Sequence, residues 1–194
     1  VSGWRIPSVL QQAKILLSER LSAGSIAVDA TVGNGYDTLF LAECVGETGH
    51  VYGFDIQKQA LTSAEARLSE AGLLSRVTFF HTGHERWVEL LPPDLRRQIQ
   101  AVTFNLGYLP GGDKAVVTRP ETTLQALQAA FDWLAPGGII TAVLYSGHPG
   151  GKQEAERVLA WAGGLDQKQA QVLWYQFLNQ KNQPPTLLAV SRHS

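Results

Sequence analysis

Short apolar runs alternate with amphipathic segments along this chain, and that alternation constrains its fold more than any other feature. Ser25–Ala30, Val51–Phe54, Val77–His81, Ala101–Phe104 and Ile139–Tyr145 are too short for buried helices and read as strands. Helical patterns are predicted over Ser8–Ser22, Asp37–Cys44, Lys58–Ala71, Trp87–Leu91, Glu121–Leu134 and Lys152–Ala162. Gly72 supplies a helix end after Ala71, and Pro136-Gly137-Gly138 supplies another after Leu134. Strands joined through helices run parallel, with right-handed crossovers. Val172–Leu178 and Thr186–Ser191 flank a polar loop containing Pro184-Pro185, which has no room for a helix, so an antiparallel hairpin is predicted there. The expectation is an α/β fold: one doubly wound, mostly parallel, seven-stranded sheet closed by a C-terminal hairpin. Ile139–Tyr145, continuous and apolar, should be central. At 194 residues a single domain over 1–194 is expected, with residues 1–24 as an N-terminal helical segment packed on it.

The net charge of -1 argues against a non-specific coat of nucleic acid, though not against a local basic patch. The single cysteine, Cys44, sits in a helical pattern and reads as a buried structural thiol in a reducing, cytoplasmic setting. No apolar run approaches the ~20 residues that span a bilayer, so no membrane partner is expected. Trp133, Trp161 and Trp174 fall on faces that read as packing, and Trp4 reads as a hydrophobic anchor.

The first predicted strand runs into Asp29-Ala-Thr-Val-Gly33-Asn-Gly35-Tyr-Asp37-Thr38. Gly33 and Gly35 permit a tight turn and close approach to a ligand. Twenty residues after Gly35 stands Asp55, at the end of the second strand, where a carboxylate accepts both hydroxyls of a ribose. A dinucleotide site wants a third glycine where Thr38 stands, and Asp37 would repel a pyrophosphate. Asp37 and Asp29 instead suit a sulfonium and an ammonium group, which favours S-adenosyl-L-methionine over NAD. Asp37 as a simple helix cap is the alternative. His84 and Glu85, after the third strand, are candidates to contact an adenine edge or close the pocket; Glu85 alternatively serves only the helix dipole. No second ligand stands at a recognised spacing from His84, so no metal is expected.

The fourth strand leads into Asn105-Leu-Gly-Tyr-Leu-Pro-Gly-Gly-Asp-Lys114. An amide, a backbone carbonyl and an aromatic ring thus meet at a strand's carboxyl end, where open α/β sheets bind ligands. Together they can hold a planar group that carries an amine; the alternative is a structural turn. His148, in Gly147-His-Pro-Gly-Gly151, is a candidate proton acceptor or a turn residue. Thr118, Thr122 and Thr123 are candidates for substrate contact, and Thr118 alternatively caps the next helix. Lys114, Arg119 and Lys152 are candidates to meet phosphates.

The loop Asp29–Thr38, Asp55 and the segment Asn105–Tyr108 resemble class I S-adenosylmethionine-dependent methyltransferases. Asn-Leu-Gly-Tyr is similar to the Asn/Asp-Pro-Pro-Tyr element of amino-group methyltransferases, without its two prolines. With Thr118, Thr122-Thr123 and Tyr145-Ser-Gly-His-Pro-Gly-Gly151, the strings resemble the family labelled "putative rRNA methylase" over nearly the whole chain. Members of known activity methylate the aminomethyl group of 5-aminomethyl-2-thiouridine at the tRNA wobble position. The resemblance implies the Rossmann-like class I fold and a pocket for S-adenosyl-L-methionine lined by Asp29, Gly33, Asn34, Gly35, Asp37, Thr38, Asp55, Gln57, His84, Glu85 and Asn105. It implies that the Asn105 to Leu109 segment borders cofactor and substrate; with the residue readings above, the candidate substrate contacts are Leu106, Gly107, Tyr108, Leu109, Lys114, Thr118, Thr122 and Thr123, and the catalytic candidates are Asn105, Tyr108 and His148. Tyr108 would flank the uridine base. The expected partner is the anticodon region of tRNA, and a homodimer is left open. The alternatives are an rRNA methyltransferase, a small-molecule or protein amine N-methyltransferase, and, in a different class, a nucleotide-binding oxidoreductase or non-catalytic binding module.

Overall fold

The computed structural model describes residues 5–107 and 117–194. Trp4, Tyr108, Leu109 and Lys114 therefore lie outside the described residues. The elements run α1 (Val9–Ser18), β1 (Ile26–Asp29), α2 (Tyr36–Val45), β2 (His50–Asp55), α3 (Lys58–Glu70), β3 (Val77–His81), α4 (Trp87–Leu90), β4 (Ile99–Leu106), α5 (Pro120–Trp133), β5 (Leu134–Leu144), α6 (Gly151–Gly163), β6 (Ala170–Tyr175) and β7 (Thr186–Arg192). Short 3₁₀ turns connect some of them. The strands form one seven-stranded sheet in the order β3-β2-β1-β4-β5-β7-β6. Strands β1 to β5 pair in parallel, and β7 pairs antiparallel with both β5 and β6.

Both faces of the sheet are covered. On one face Leu17, Leu41, Val45 and Leu68 of the first three helices pack on Val51 and Ala101. On the other, Trp87, Leu127, Phe131 and Val158 pack on Phe54, Phe104 and Ile140. Alternate residues of β4 therefore point to different cores, which is why the central strands read as unbroken apolar runs. No described helix is long and apolar enough to cross a membrane.

Several boundaries differ from expectation, each for a local reason. α1 ends at Ser18 rather than Ser22, with a capping box of Ser8 and Gln11 fixing its start. β5 begins at Leu134, so Pro136-Gly137-Gly138 bulges within the strand rather than preceding it. The register jumps from Ile99↔Leu134 to Ala101↔Ile139, and Gly137 takes φ +76° to allow it. β6 stops at Tyr175 and is an edge strand, which leaves Trp174 48% exposed and corrects its reading as core. Trp133 and Trp161 do pack against the main core. Cys44 is half-buried against the second core, and that burial pushes its thiol pKa up, away from reactivity.

The chain passes from β1 outward to β3, then returns to place β4 on the other side of β1. This reversal opens a crevice above the carboxyl ends of β1 and β4. Asp29 ends β1 and Asp55 ends β2. β4 extends two residues further than expected, so Asn105 is a strand residue paired with Val143 rather than part of a turn.

Candidate active site

A cleft of about 970 Å³ opens at this crevice. It lies at the upper end of the ~300–1,000 Å³ typical of small-molecule sites, with room for a cofactor and a second group. Its floor is the loop between β1 and α2. Gly35 adopts φ +79°, and a Cβ there would come within 2.7 Å of Ala64 on α3, so both conformation and contact require glycine. The loop is braced from below: Arg67 donates its Nε–H to the Asn34 carbonyl at 2.8 Å and lies 3.7 Å from the centroid of the Tyr36 ring.

Asp55 is fixed by two backbone donors. The Gly33 N–H reaches its Oδ2 at 2.9 Å and the Gln57 N–H its Oδ1 at 2.8 Å. Each oxygen keeps a lone pair for a ligand hydroxyl. Asp37 accepts the Asn105 side-chain N–H at 2.6 Å, and the Asn105 backbone N–H donates to the Thr31 hydroxyl at 2.7 Å. A carboxylate can only accept, so this bond fixes the amide orientation: the NH₂ faces Asp37, and the amide oxygen is left as an acceptor on a residue that lines the cleft. Tyr145, at the end of β5, lines the cleft beside Asp37; burial, then the Asp37 charge, raises its phenol pKa. His84 is buried in the cleft wall, edge-on to Phe104. Burial lowers its pKa despite Glu85, a backbone bond to Ala30 and Asp55, which holds the ring neutral.

The "Putative rRNA methylase" family model matches residues 51–191. The chloroplastic tRNA (mnm(5)s(2)U34)-methyltransferase of Arabidopsis thaliana is 38% identical over 190 residues, which cover 94% of this chain and 69% of that protein. The chain belongs to the rRNA methylase family. Two solved structures resemble this family member closely. A "putative rRNA-methylase" from Clostridium thermocellum is 43% identical with a TM-score of 0.93, covering 97% of this chain and 100% of that one. A "putative methyltransferase" from Streptococcus mutans, in complex with SAH, is 35% identical with a TM-score of 0.87, covering 97% and 99%.

The rRNA methylase fold seen here is that of an S-adenosylmethionine-dependent methyltransferase, and the residues present fit that cofactor. Asp55 offers two oriented oxygens to a ribose. Asp37 places a carboxylate in the first turn of α2, facing the cleft. Gly33, Asn34, Asp37, Asp55, Gln57, His84, Glu85 and Asn105 all line the cleft.

Other expected residues lie elsewhere. Asp29 is fully buried behind the floor, where it accepts the Thr38 hydroxyl at 2.6 Å and the Thr31 N–H at 3.2 Å. Asp29, buried Gly35 and buried Thr38 therefore shape the loop from behind instead of lining the cleft. The carbonyl of Leu106, a residue expected to border the substrate, accepts the Tyr145 N–H at 3.1 Å, and Leu106 is buried. Gly107, Thr118 and Thr122 line the cleft, whereas Thr123 is fully buried. His148 is half-buried and outside the cleft lining; its Nδ1 pairs with the Pro149 carbonyl at 3.1 Å. Of the basic candidates, Arg119 lines the cleft, while Lys152 forms a surface pair with Glu156.

Tyr145 and Tyr36, which line the cleft, were missed. The strand-end rule that singled out Asn105 applies equally to Tyr145, one strand over. Tyr36 stands inside the glycine loop itself.

Proposed function

We propose that this methyltransferase acts on RNA as an N-methyltransferase, transferring a methyl group to the amine of 5-aminomethyl-(2-thio)uridine at the tRNA wobble position. The observation that carries this reading is the oriented Asn105 amide. Its oxygen is an acceptor at the cleft surface, suited to an N–H of a substrate amine. S-adenosyl-L-methionine, when bound, supplies an electrophilic methyl on a sulfonium. The substrate nitrogen must be neutral and must aim its lone pair along the line of displacement. Asn105 holds one amine hydrogen and thereby sets that direction, and such positioning is worth several kcal/mol. Asp37 fixes Asn105 and places negative charge beside the sulfonium. Arg119 on the rim suits a phosphate of the RNA backbone. An anticodon base is single-stranded and can be splayed into a cleft of this kind. The Arabidopsis relative, named for the wobble uridine, supports this choice of substrate.

The test is parallel incubation of undermodified tRNA and of ribosomal RNA with labelled S-adenosylmethionine, followed by nucleoside analysis. Label is expected in the 5-methylaminomethyl nucleoside. Label in ribosomal RNA with none in tRNA would move the activity to rRNA, and label in neither would overturn the RNA reading.

A further inference from the structure

Glu154 lies in the first turn of α6, is 2% exposed and does not line the cleft. A carboxylate removed from water needs hydrogen bonds. It receives two: the Thr118 hydroxyl reaches its Oε2 and the Thr123 hydroxyl its Oε1, both at 2.6 Å. Both donors come from one short segment, and they bracket Arg119 and Thr122, which line the cleft. The same segment is tied on its other side, where the Thr118 N–H donates to the Gly107 carbonyl at 3.0 Å, directly beyond the strand that carries Asn105.

We infer that Glu154 is a positioning residue for the RNA substrate: by anchoring Thr118 and Thr123 it presents Arg119 and Thr122 to the cleft at a fixed height above Asn105. The two threonines read from sequence as substrate contacts thus serve as its handles. Anchoring a cation-bearing rim from below lowers the ordering cost when a phosphate meets Arg119. The inference rests on the cleft being an RNA methyl-transfer site. Cofactor binding, built on the ends of β1 and β2, does not pass through Glu154.

The experiment measures steady-state kinetics of Glu154→Gln with undermodified tRNA, together with S-adenosylhomocysteine affinity and thermal unfolding. A carboxamide can accept one hydroxyl at its oxygen but meets the other only by donating its NH₂ to that hydroxyl's oxygen, so both charge-assisted bonds are lost and one threonine must turn. The tRNA KM should rise about tenfold, the scale of one lost hydrogen bond to a charged group, while homocysteine-cofactor affinity stays within about twofold. Glu89→Gln, which removes the exposed Arg86–Glu89 pair away from the cleft lining, serves as the control and should leave KM unchanged. A folded Glu154→Gln enzyme with wild-type tRNA KM would overturn the inference, as would an equal KM rise in Glu89→Gln. Should Glu154→Gln not fold, Thr118→Val removes one handle and Thr118→Ser restores it; equal KM values for those two would overturn it as well. A wild-type protein that binds S-adenosylhomocysteine yet methylates no RNA would instead overturn the proposed function.

Discussion

At the ends of β1 and β2 the cleft is shaped by backbone: glycine turns, and N–H groups of Gly33 and Gln57 aimed at Asp55. Across the crevice, at the end of β4, it is shaped by side chains that hold other side chains: Asp37 on Asn105, and Glu154 on Thr118 and Thr123. The first construction ties residues close in sequence or one strand apart. The second joins positions 31 to 68 apart along the chain. A floor made of backbone changes little when one side chain is replaced. A wall made of paired side chains loses its geometry with any single partner.

The largest effect should follow from breaking the wall at its chemical centre. Asn105→Asp keeps the shape but sets a second carboxylate where an N–H now donates to Asp37 at 2.6 Å. The amide proposed to aim the substrate amine is gone, and like charges push apart. We expect kcat to fall about a hundredfold, the cost of misplacing a reacting group, with cofactor affinity much less affected. Single-turnover methylation of tRNA measures this, and kcat within threefold of wild type would show that the wall does not depend on the amide.

The floor should respond more gently and in a different constant. Asp55→Ala removes the proposed ribose acceptor but leaves the glycine turns in place, with the Gly33 and Gln57 amides free to bond water. S-adenosylhomocysteine affinity should weaken about thirtyfold by calorimetry, the order of a charge-assisted hydrogen-bond pair. At saturating cofactor the rate should return to near wild type. A kcat that stays low at saturation would mean that floor and wall are coupled, and the contrast between them would fail.

The same contrast explains what was legible in the sequence. Periodicity gave the number of strands and their succession along the chain, though not their order in the sheet, because burying both faces of a sheet imposes a pattern on the residues themselves. Gly33, Gly35 and Asp55 were legible because a tight turn and a strand-end carboxylate are local requirements. Asn105 was legible as a strand-end polar group, though not as a residue within β4. Glu154 was not, since its partners reach it only after α5 and α6 pack. The bulge at Pro136-Gly137-Gly138 was misread for a related reason: the same residues can end a strand or kink it, and only pairing with Ile99 decides. Trp174 was misplaced because strand pattern alone cannot tell an edge strand from a central one.

The smallest effect tests how much charge the floor carries. Asp29 is completely buried, and burial first, then the neighbouring Asp37 charge, outweigh its bonds to Thr38 and Thr31 and raise its pKa from 3.8 to about 7. Between those values the folded chain holds a proton that the unfolded chain has released. Stability present below the unfolded pKa is therefore lost as pH rises through this window, with the full penalty in force above about 7. One group gives a slope of at most about 1.4 kcal/mol per pH unit. Asp29→Asn abolishes the titration, and its amide oxygen can still accept the Thr31 N–H while its NH₂ meets the Thr38 hydroxyl oxygen. Urea unfolding of both proteins across the window should show the variant gaining on wild type as pH rises, then a constant difference above it. A difference independent of pH would mean that Asp29 ionises as an ordinary carboxylate. Asp29 would then add its negative charge behind the cleft floor, and the floor would act through its field as well as through its backbone shape.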